Sequence, residues 1–255
     1  MADMRSKLND VYSLESLSRK NTLIHKLHPL SKMLVTIVYI ICIMAHGRYH
    51  LSAMAPFLFY PIVIMALAEI PFGMIVKRTS IALPFTLFAG ISNLIFDTAQ
   101  WGTVGNVVIS TGLISFFTLI VRTFLCVSAI LILVATTHFT EITGQLMRAH
   151  IPAIIVNLLE MIYRYLSVLV EEASVMVTSY RLRNPNYKWP LIRDMGPFVG
   201  HLFLRSIERA ERIYQAMKCR GYGSVKAVYM KRKMKAGDII FLITGCISSI
   251  IFALI

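Results

Sequence analysis

Arginines with helical spacing are the first residues in this sequence that could bind a charged partner. The stretch RSIERAERIYQAMKCRGYG, residues 205–223, contains Arg205, Arg209, Arg212 and Arg220. Their spacing is close to one face of a helix with 3.6 residues per turn. Gly221 is typical of the residue that follows a helix, so we predict that Arg220 lies at the C-terminal tip. A guanidinium there can engage a carboxylate or a phosphate through two hydrogen bonds. The alternative is a solvated basic helix.

A second arginine pair, Arg181 and Arg183, lies where Asn184 and Pro185 interrupt another helical pattern. The helix before it is amphipathic and has an apolar side formed by Ile154, Leu158, Ile162, Leu166 and Leu169. Such a side needs an apolar cover. The basic region around both arginine sites therefore has three interpretations: a lipid-facing surface, a solvated domain or a docking surface for an acidic partner. The positions of Arg183 and Arg220 near helix ends favour docking.

Arg122 and a pair of histidines are further candidates for charge or metal chemistry. Arg122 lies inside an apolar run, where a charge costs about 2.5–3.5 kcal/mol on insertion scales. It either faces a partner or cavity, or is an interior residue satisfied by the backbone or by snorkelling. His46 and His50 have an i, i+4 spacing that suits a transition metal, but no carboxylate or third ligand lies nearby. We therefore predict no metal site.

Motifs for catalysis and nucleotide binding are missing from the sequence. It contains no G-x-x-x-x-G-K-[ST] phosphate loop, no H-E-x-x-H and no G-x-S-x-G. The four cysteines are scattered without a C-x-x-C, so they predict neither a disulfide framework nor a zinc site. We predict a protein with no catalytic residue and no cofactor, which does not bind or hydrolyse ATP by itself.

Composition favours a membrane protein. Hydrophobic residues occupy 56% of the 255 positions, and the mean hydropathy is +0.67. Only 15% of the residues are charged, yet the net charge is +13, and 16 of the 26 lysines and arginines lie between residues 136 and 236. Basic chains often bind nucleic acid, but the apolar runs have no place in a soluble protein, so we expect no nucleic-acid partner. Residues 1–32 are polar and charged, so no cleavable signal peptide is visible.

Five apolar runs, alone or with their flanks, are candidates for transmembrane helices. They cover residues 33–45, 51–70, 81–96, 107–134 and 238–255. Lysines and arginines place the N-terminal segment, the Lys77–Arg78 loop and residues 136–236 in the cytoplasm, and the loops 46–50 and 97–106 outside. The predicted fold class is an all-α integral membrane protein with about five spans, N-terminus in and C-terminus out, and long amphipathic cytoplasmic helices between the last two spans. The predicted divisions are a cytoplasmic N-terminal segment at 1–32, four spans in 33–135, the cytoplasmic helices in 136–236 and the last span at 238–255.

Several strings resemble the transmembrane T component of energy-coupling-factor (ECF) importers. An A-M-x-x-R-G-Y string is matched by Ala216, Met217, Arg220, Gly221 and Tyr222. Further matches are T-T-x-F-T-E at 136–141, a segment ending in Ile-Pro at 148–152, Y-R-Y at 163–165, the pair Glu171-Glu172 and F-L-R-S-I-E-R-A-E-R at 203–212. This combination is most similar to the cobalt-associated branch, CbiQ. Where the family often has D-P-R-x-K, this chain keeps Pro29 and Lys32 but has His28 and Leu30, and we attach no function to that site.

The resemblance implies a non-enzymatic subunit of a multi-pass importer in a prokaryotic plasma membrane. T components carry an X-Arg-X motif at the end of each of two coupling helices. The matching triplets here are Leu182-Arg183-Asn184 and Cys219-Arg220-Gly221, with Arg181 as the alternative first arginine. The implied partners are two cytoplasmic ABC ATPase subunits, a substrate-binding S component that is CbiM-like, with or without a small CbiN-like subunit, and membrane lipid. The implied cargo is a cobalt ion, with another metal or a vitamin as the alternative.

Two other functions remain as alternatives. A membrane-embedded enzyme acting on lipid-linked substrates would use the arginines as phosphate clamps. It would be supported by a cluster of carboxylates or histidines at one membrane face, which the sequence lacks. A scaffold that binds anionic lipid would use the same basic region without any catalytic step.

Overall fold

A computed structural model describes residues 18, 22–47, 52–96, 100–104, 107–149, 151–185, 187, 191–222 and 234–254. Within these residues the chain is almost entirely helical. Its elements are α1 (Pro29–Ala45), α2 (Phe59–Leu67), α3 (Phe72–Thr79), α4 (Leu83–Phe96), β1 (Gln100–Val104), β2 (Val107–Ser110), α5 (Thr111–Thr136), α6 (Phe139–Arg148), α7 (Ala153–Arg183), α8 (Ile192–Cys219) and α9 (Ala236–Leu254). Short 3-10 turns occur at Ser52–Met54, Pro56–Leu58 and Ser80–Ala82. The predicted helical fold class is confirmed.

Within the part of the chain that the structure describes, four helical stretches are long and apolar enough to cross a membrane. They are Phe72–Leu94, Thr111–Thr136, Ala153–Arg183 and Ala236–Ala253, while Pro29–Ala45 and Pro56–Leu67 are shorter apolar helices. All five predicted apolar runs therefore contain a helix. The stretch Ala153–Arg183, which is α7, also has the length and composition of a span. Its predicted position on the cytoplasmic side stays a prediction.

Two local predictions were wrong. Lys77 and Arg78 lie inside α3 rather than in a loop, because Pro71 caps a new helix instead of ending one. A proline before the first turn costs no hydrogen bond, since the first N–H groups of a helix have no partner within it. The start of the fourth apolar run, Val107–Ser110, is a strand that pairs antiparallel with Gln100–Val104. Its β-branched Val-Val-Ile sequence suits a strand better than a helix.

The described helices belong to two compact units. The core unit is Tyr12–Ile142 with Arg232–Ile255, and it contains α1 to α5, the hairpin and α9. The described part of the insert unit lies within Thr143–Lys231, and it contains α7 and α8. Helix α6 runs across the boundary at residue 142. The predicted divisions at residues 33, 136 and 238 concern the membrane, and they stay a prediction.

Helices α1 and α9 run parallel and in close contact within the core unit. The backbone N–H of His28, just before α1, donates to Asp238 Oδ1 in the first turn of α9 at 2.8 Å. Seven residues further along each helix, Val35 lies against Gly245. A Cβ at Gly245 would stand 2.7 Å from Val35 Cγ1, so the absence of a side chain permits this approach.

Helix α5 runs antiparallel to α1. At one end Lys32 Nζ donates to the Thr136 carbonyl at 2.7 Å, and at the other Arg122 Nη2 donates to the His46 carbonyl at 2.6 Å. The core beside these helices is filled by apolar side chains in two clusters, which include Tyr39, Phe57, Leu125, Ile64, Ile75 and Ile132. The parallel and antiparallel directions agree with spans that alternate in direction across a bilayer.

Some predictions concern residues outside the described ranges. These are most of the N-terminal segment 1–32, His50 of the histidine pair, and residues 231–233 of the basic stretch before the last span.

Candidate functional site

The end of α8 presents Arg220 on a glycine-terminated cap. The helix ends at Cys219, and Arg220 is the capping residue. Gly221 has φ 80°, in the left-handed region that favours glycine. Its N–H donates to the Lys218 carbonyl at 3.0 Å, and the N–H of Tyr222 donates to the Met217 carbonyl at 3.0 Å. This pair of bonds is a Schellman motif. The predicted end of the helix at Gly221 is confirmed. The Gly-Tyr end of the A-M-x-x-R-G-Y string therefore forms the cap that ends α8.

The end of α7 presents Arg183 in a similar position. Arg183 is the last residue of the helix, and the N–H of the following Asn184 donates to the Tyr180 carbonyl at 2.9 Å. Pro185 comes next and prevents continuation of the helix, since it lacks an N–H and its ring constrains the backbone. Both predicted X-Arg-X triplets therefore lie at helix C-termini.

The two terminal arginines are open to solvent, in contrast to Arg181. The side chains of Arg183 and Arg220 are exposed, whereas Arg181 is half-buried. Neighbouring Leu182 is 81% exposed, and Cys219 is also exposed. Among the described residues, neither Arg183 nor Arg220 has a hydrogen bond or an ion pair from its guanidinium. The exposed Arg183 is therefore better placed than the half-buried Arg181 to contact a partner.

A carboxylate on α7 holds two arginines of α8. Glu172 Oε2 accepts a hydrogen bond from Arg209 Nη2 at 2.9 Å, and Glu172 Oε1 accepts one from Arg205 Nη1 at 3.4 Å. The Glu172 side chain is only 15% exposed. Sequence analysis missed this contact, because the spacing of the arginines predicts that they share a helix face but not which carboxylate they meet. The available signal was the Glu171-Glu172 pair in an otherwise apolar and uncharged part of α7.

A second polar contact fixes the start of α8 beside the end of α7. Tyr180 Oη donates to Asp194 Oδ2 at 2.7 Å and accepts the Leu191 N–H at 3.4 Å. Asp194 lies in the first turn of α8, where a carboxylate is favoured by the helix dipole. Tyr180, before the connection from α7 to α8, thus holds Leu191 and Asp194, which follow it.

One side of α7 carries apolar side chains that no other described part of the chain covers. The exposed fraction is 75% for Ile154, 60% for Leu158, 56% for Ile162 and 48% for Leu166. On α8, Phe203 and Leu204 are also exposed. Stripes of this size on a folded chain mark contact with a partner or with lipid. We call the residues 154, 158, 162 and 166 the apolar stripe.

A buried polar junction joins three helix ends of the core unit. Asp238 accepts the backbone N–H groups of His28 and Lys235 at 2.8 and 2.7 Å. Lys32, which donates to the Thr136 carbonyl, is 3% exposed and Asp238 is 5% exposed. The junction includes the N-terminal site to which the sequence gave no function. Asp238 was missed, although an acidic residue three positions into a helix commonly caps the preceding N–H.

Arg122 donates hydrogen bonds to backbone carbonyls in the core unit. Its Nη2 atom donates to the carbonyls of His46 at 2.6 Å and Gly47 at 3.4 Å. These carbonyls follow the end of α1, which has no intrahelical donor for them. Among the described residues its Nε atom is buried without a hydrogen-bond partner, so the backbone satisfies the guanidinium only in part. Of the two interpretations, the structure favours an interior residue held by the backbone.

His46 contributes to the same helix end. Its Nδ1 lies 2.9 Å from the Cys42 carbonyl, and its ring meets the Phe57 ring edge-on with centroids 5.2 Å apart. Within the described ranges, no three or more His, Cys, Asp or Glu side chains form a group that could hold a metal ion.

The sequence profile of the CbiQ family, described as cobalt transport protein, matches residues 20–230, which is most of the chain. The chain belongs to the CbiQ family. Both arginine ends and the Glu172 contact lie within the matched residues. The uncharacterized protein MJ1571 of Methanocaldococcus jannaschii is 24% identical over 97% of this chain and 87% of its own length. The uncharacterized protein MJ1089 of the same organism is 33% identical over 39% of this chain and 38% of its own length.

Membership in the CbiQ family establishes the class of the protein. It is a component of a membrane transporter in a cobalt transport family, and such a transporter contains other subunits. The predicted CbiQ-like identity and the membrane fold class are confirmed. The helices long enough to span a membrane agree with this class.

Proposed function

We propose that this CbiQ protein is the coupling subunit, or T component, of an ECF-type cobalt importer in the plasma membrane. It transmits movement from two cytoplasmic ABC ATPase subunits to a separate membrane subunit that captures the ion. The observation that carries the proposal is the pair of exposed arginines, Arg183 and Arg220, at the C-termini of two helices that contact each other.

Each arginine end is suited to a groove that contains a carboxylate. A guanidinium is planar and always charged, and it binds a carboxylate through two parallel hydrogen bonds, which lysine cannot do. The helix cap leaves the Arg220 side chain beyond the last turn, so that a partner surface can surround it. ATP-driven closure then moves α7 and α8, because contacts that differ between the two ATPase states transmit work.

The apolar stripe supports a second contact in the same complex. Its four side chains are exposed on the isolated chain, and burial of an aliphatic side chain contributes roughly 1.5–3 kcal/mol. We assign the stripe to the substrate-capturing subunit and to the lipid around it. In this arrangement α7 contacts that subunit along the stripe and an ATPase at its end.

Alanine substitutions at the arginine ends test the proposal. Arg183→Ala and Arg220→Ala should each weaken ATPase binding and reduce cobalt uptake, and the double variant should be worse. Loss of one partner of a buried charge pair costs about 2–5 kcal/mol, which corresponds to a roughly 30-fold to several-thousand-fold weaker affinity. The measurements are pull-down of the ATPase subunits and uptake of radioactive cobalt at matched membrane expression.

Arg212→Ala is the matched control, because this arginine is exposed on the same helix but lies before its end. Arg205 is unsuitable, since it contacts Glu172. Parental uptake and pull-down in both single variants and in the double variant would refute the coupling role and favour a lipid-binding surface. Uptake of nickel or a vitamin instead of cobalt would leave the coupling role and change the cargo.

A further inference from the structure

Apolar burial does little to fix the contact between α7 and α8. Among the described residues, α8 has no buried side chain, and α7 buries only Val156 and Val177. A pair of helices in a globular core normally interlocks through apolar ridges and grooves. In this pair polar contacts must supply much of the geometry that fully buried apolar side chains provide elsewhere.

Glu172 provides the best placed of these contacts. Arg205 and Arg209 are four residues apart, so they lie on the same side of α8, and they reach separate oxygens of the one carboxylate. The side chain of Glu172 is largely shielded from water, which strengthens its interaction with the arginines. A carboxylate held from two sides resists both sliding and rotation of one helix against the other.

The position of Glu172 along the chain gives this contact mechanical importance. Arg183 lies eleven residues beyond Glu172, and Arg220 lies eleven residues beyond Arg209, so each arm is about 16 Å long at 1.5 Å per residue. Between the Glu172–Arg209 contact and the Tyr180–Asp194 contact, residue numbers rise along α7 and fall along α8. The two helices therefore run in opposite directions. The two arginine ends therefore extend to opposite sides of the Glu172 contact.

We propose that Glu172, held by Arg209 and Arg205, is a positioning residue that acts as the pivot of α7 and α8 and sets the separation of Arg183 and Arg220. Its functional importance rests on the proposed coupling role of the two ends. With arms of about 16 Å, a rotation of about 10° at the pivot moves each end by about 3 Å. Such a displacement is comparable to the length of a hydrogen bond, so loss of the pivot would prevent both arginines from fitting their sites together.

The pivot is tested by a distance measurement on the full chain in lipid nanodiscs. Spin labels are attached to cysteines introduced at the exposed positions Ser179 on α7 and Gln215 on α8, in a background without the native cysteines. Pulsed electron paramagnetic resonance then gives the distribution of label separations. Glu172→Gln should broaden this distribution by several Å relative to the parent, because a neutral amide cannot hold both guanidinium groups.

Two variants make the measurement specific. Glu171→Gln is the control, since this neighbouring glutamate is exposed and should leave the distribution unchanged. The charge exchange Glu172→Arg with Arg209→Glu, in a chain that also carries Arg205→Gln to remove the like charge, should narrow the distribution relative to Glu172→Gln, because it rebuilds the Glu172–Arg209 pair in reverse. Circular dichroism on each variant confirms that the helices are retained.

Three outcomes would overturn the pivot. The label separations in Glu172→Gln could match those of the parent, or Glu171→Gln could broaden the distribution as much as Glu172→Gln does. The distribution in the charge-exchanged chain could also be as broad as in Glu172→Gln. These outcomes are separate from the proposed function, since the distance measurement needs no ATPase. Conversely, normal uptake in the Arg183 and Arg220 variants would refute coupling while a disturbed distance in Glu172→Gln still supported the pivot.

Discussion

Replacement of Gly221 tests whether the shape of the α8 end matters as well as the charge of Arg220. With φ at 80°, an alanine here must adopt a left-handed conformation, which costs an L-residue roughly 1–2 kcal/mol. If the backbone relaxes instead, the two 3.0 Å bonds that close the cap are lost, at about 1 kcal/mol each. Either route costs about 1–2 kcal/mol. Because docking must restore the cap, affinity for the ATPase should fall by up to about 5–30-fold in Gly221→Ala.

The assay is a titration of purified ATPase subunits against the chain in nanodiscs. Gly221→Asn is the control, since asparagine enters the left-handed region more easily than alanine. We expect affinity to fall in the order parent, Gly221→Asn, Gly221→Ala and Arg220→Ala. The reasoning is refuted if Gly221→Ala binds as the parent does, or if Gly221→Asn is as weak as Gly221→Ala.

Three further predictions concern the core unit and its orientation. Asp238→Ala leaves the buried N–H of His28 and the part-buried N–H of Lys235 without their acceptor. It should lower the free energy of unfolding in mixed micelles by about 2–5 kcal/mol, since a hydrogen bond to a charged group contributes about 1.5–3 kcal/mol and less where water can replace it. An unchanged unfolding curve would contradict the role of the junction. Gly245→Leu should destabilise the chain by about 1–3 kcal/mol through overpacking, and Val35→Ala should recover part of this loss in the double variant. In intact cells, a cysteine introduced at Asn106 should react with an impermeant thiol reagent, whereas one at Asn186 should react only after permeabilisation. Labelling of Asn186 from outside would reverse the predicted orientation.

Features with a local cause could be predicted from the sequence. The end of α8 follows from Gly221, because few residues other than glycine enter the left-handed region without strain. The end of α7 follows from Pro185, because a proline lacks the N–H that would continue the helix. The apolar stripe has a period close to that of a helix, so its exposure to a partner or lipid could be anticipated without coordinates. These features include both arginine ends.

Contacts between distant parts of the chain could not be predicted from local patterns. Glu172 and Arg209 are 37 residues apart, and nothing in the spacing of either helix indicates which charges meet. Asp238 and His28 are 210 residues apart. The error at Lys77 had a different origin, because proline and glycine occur both in loops and at the first turn of a helix.

The parallel contact of α1 and α9 has a consequence for biogenesis. The ribosome completes α1 to α5 and then α6 to α8 before it synthesises α9. Until then, the surface around Val35 and the N–H of His28 have no protein partner from α9. Domains otherwise tend to fold in the order of their synthesis. The core unit therefore stays without α9 while α6 to α8 are synthesised. During this time its surface for α9 is shielded by lipid or by the insertion machinery.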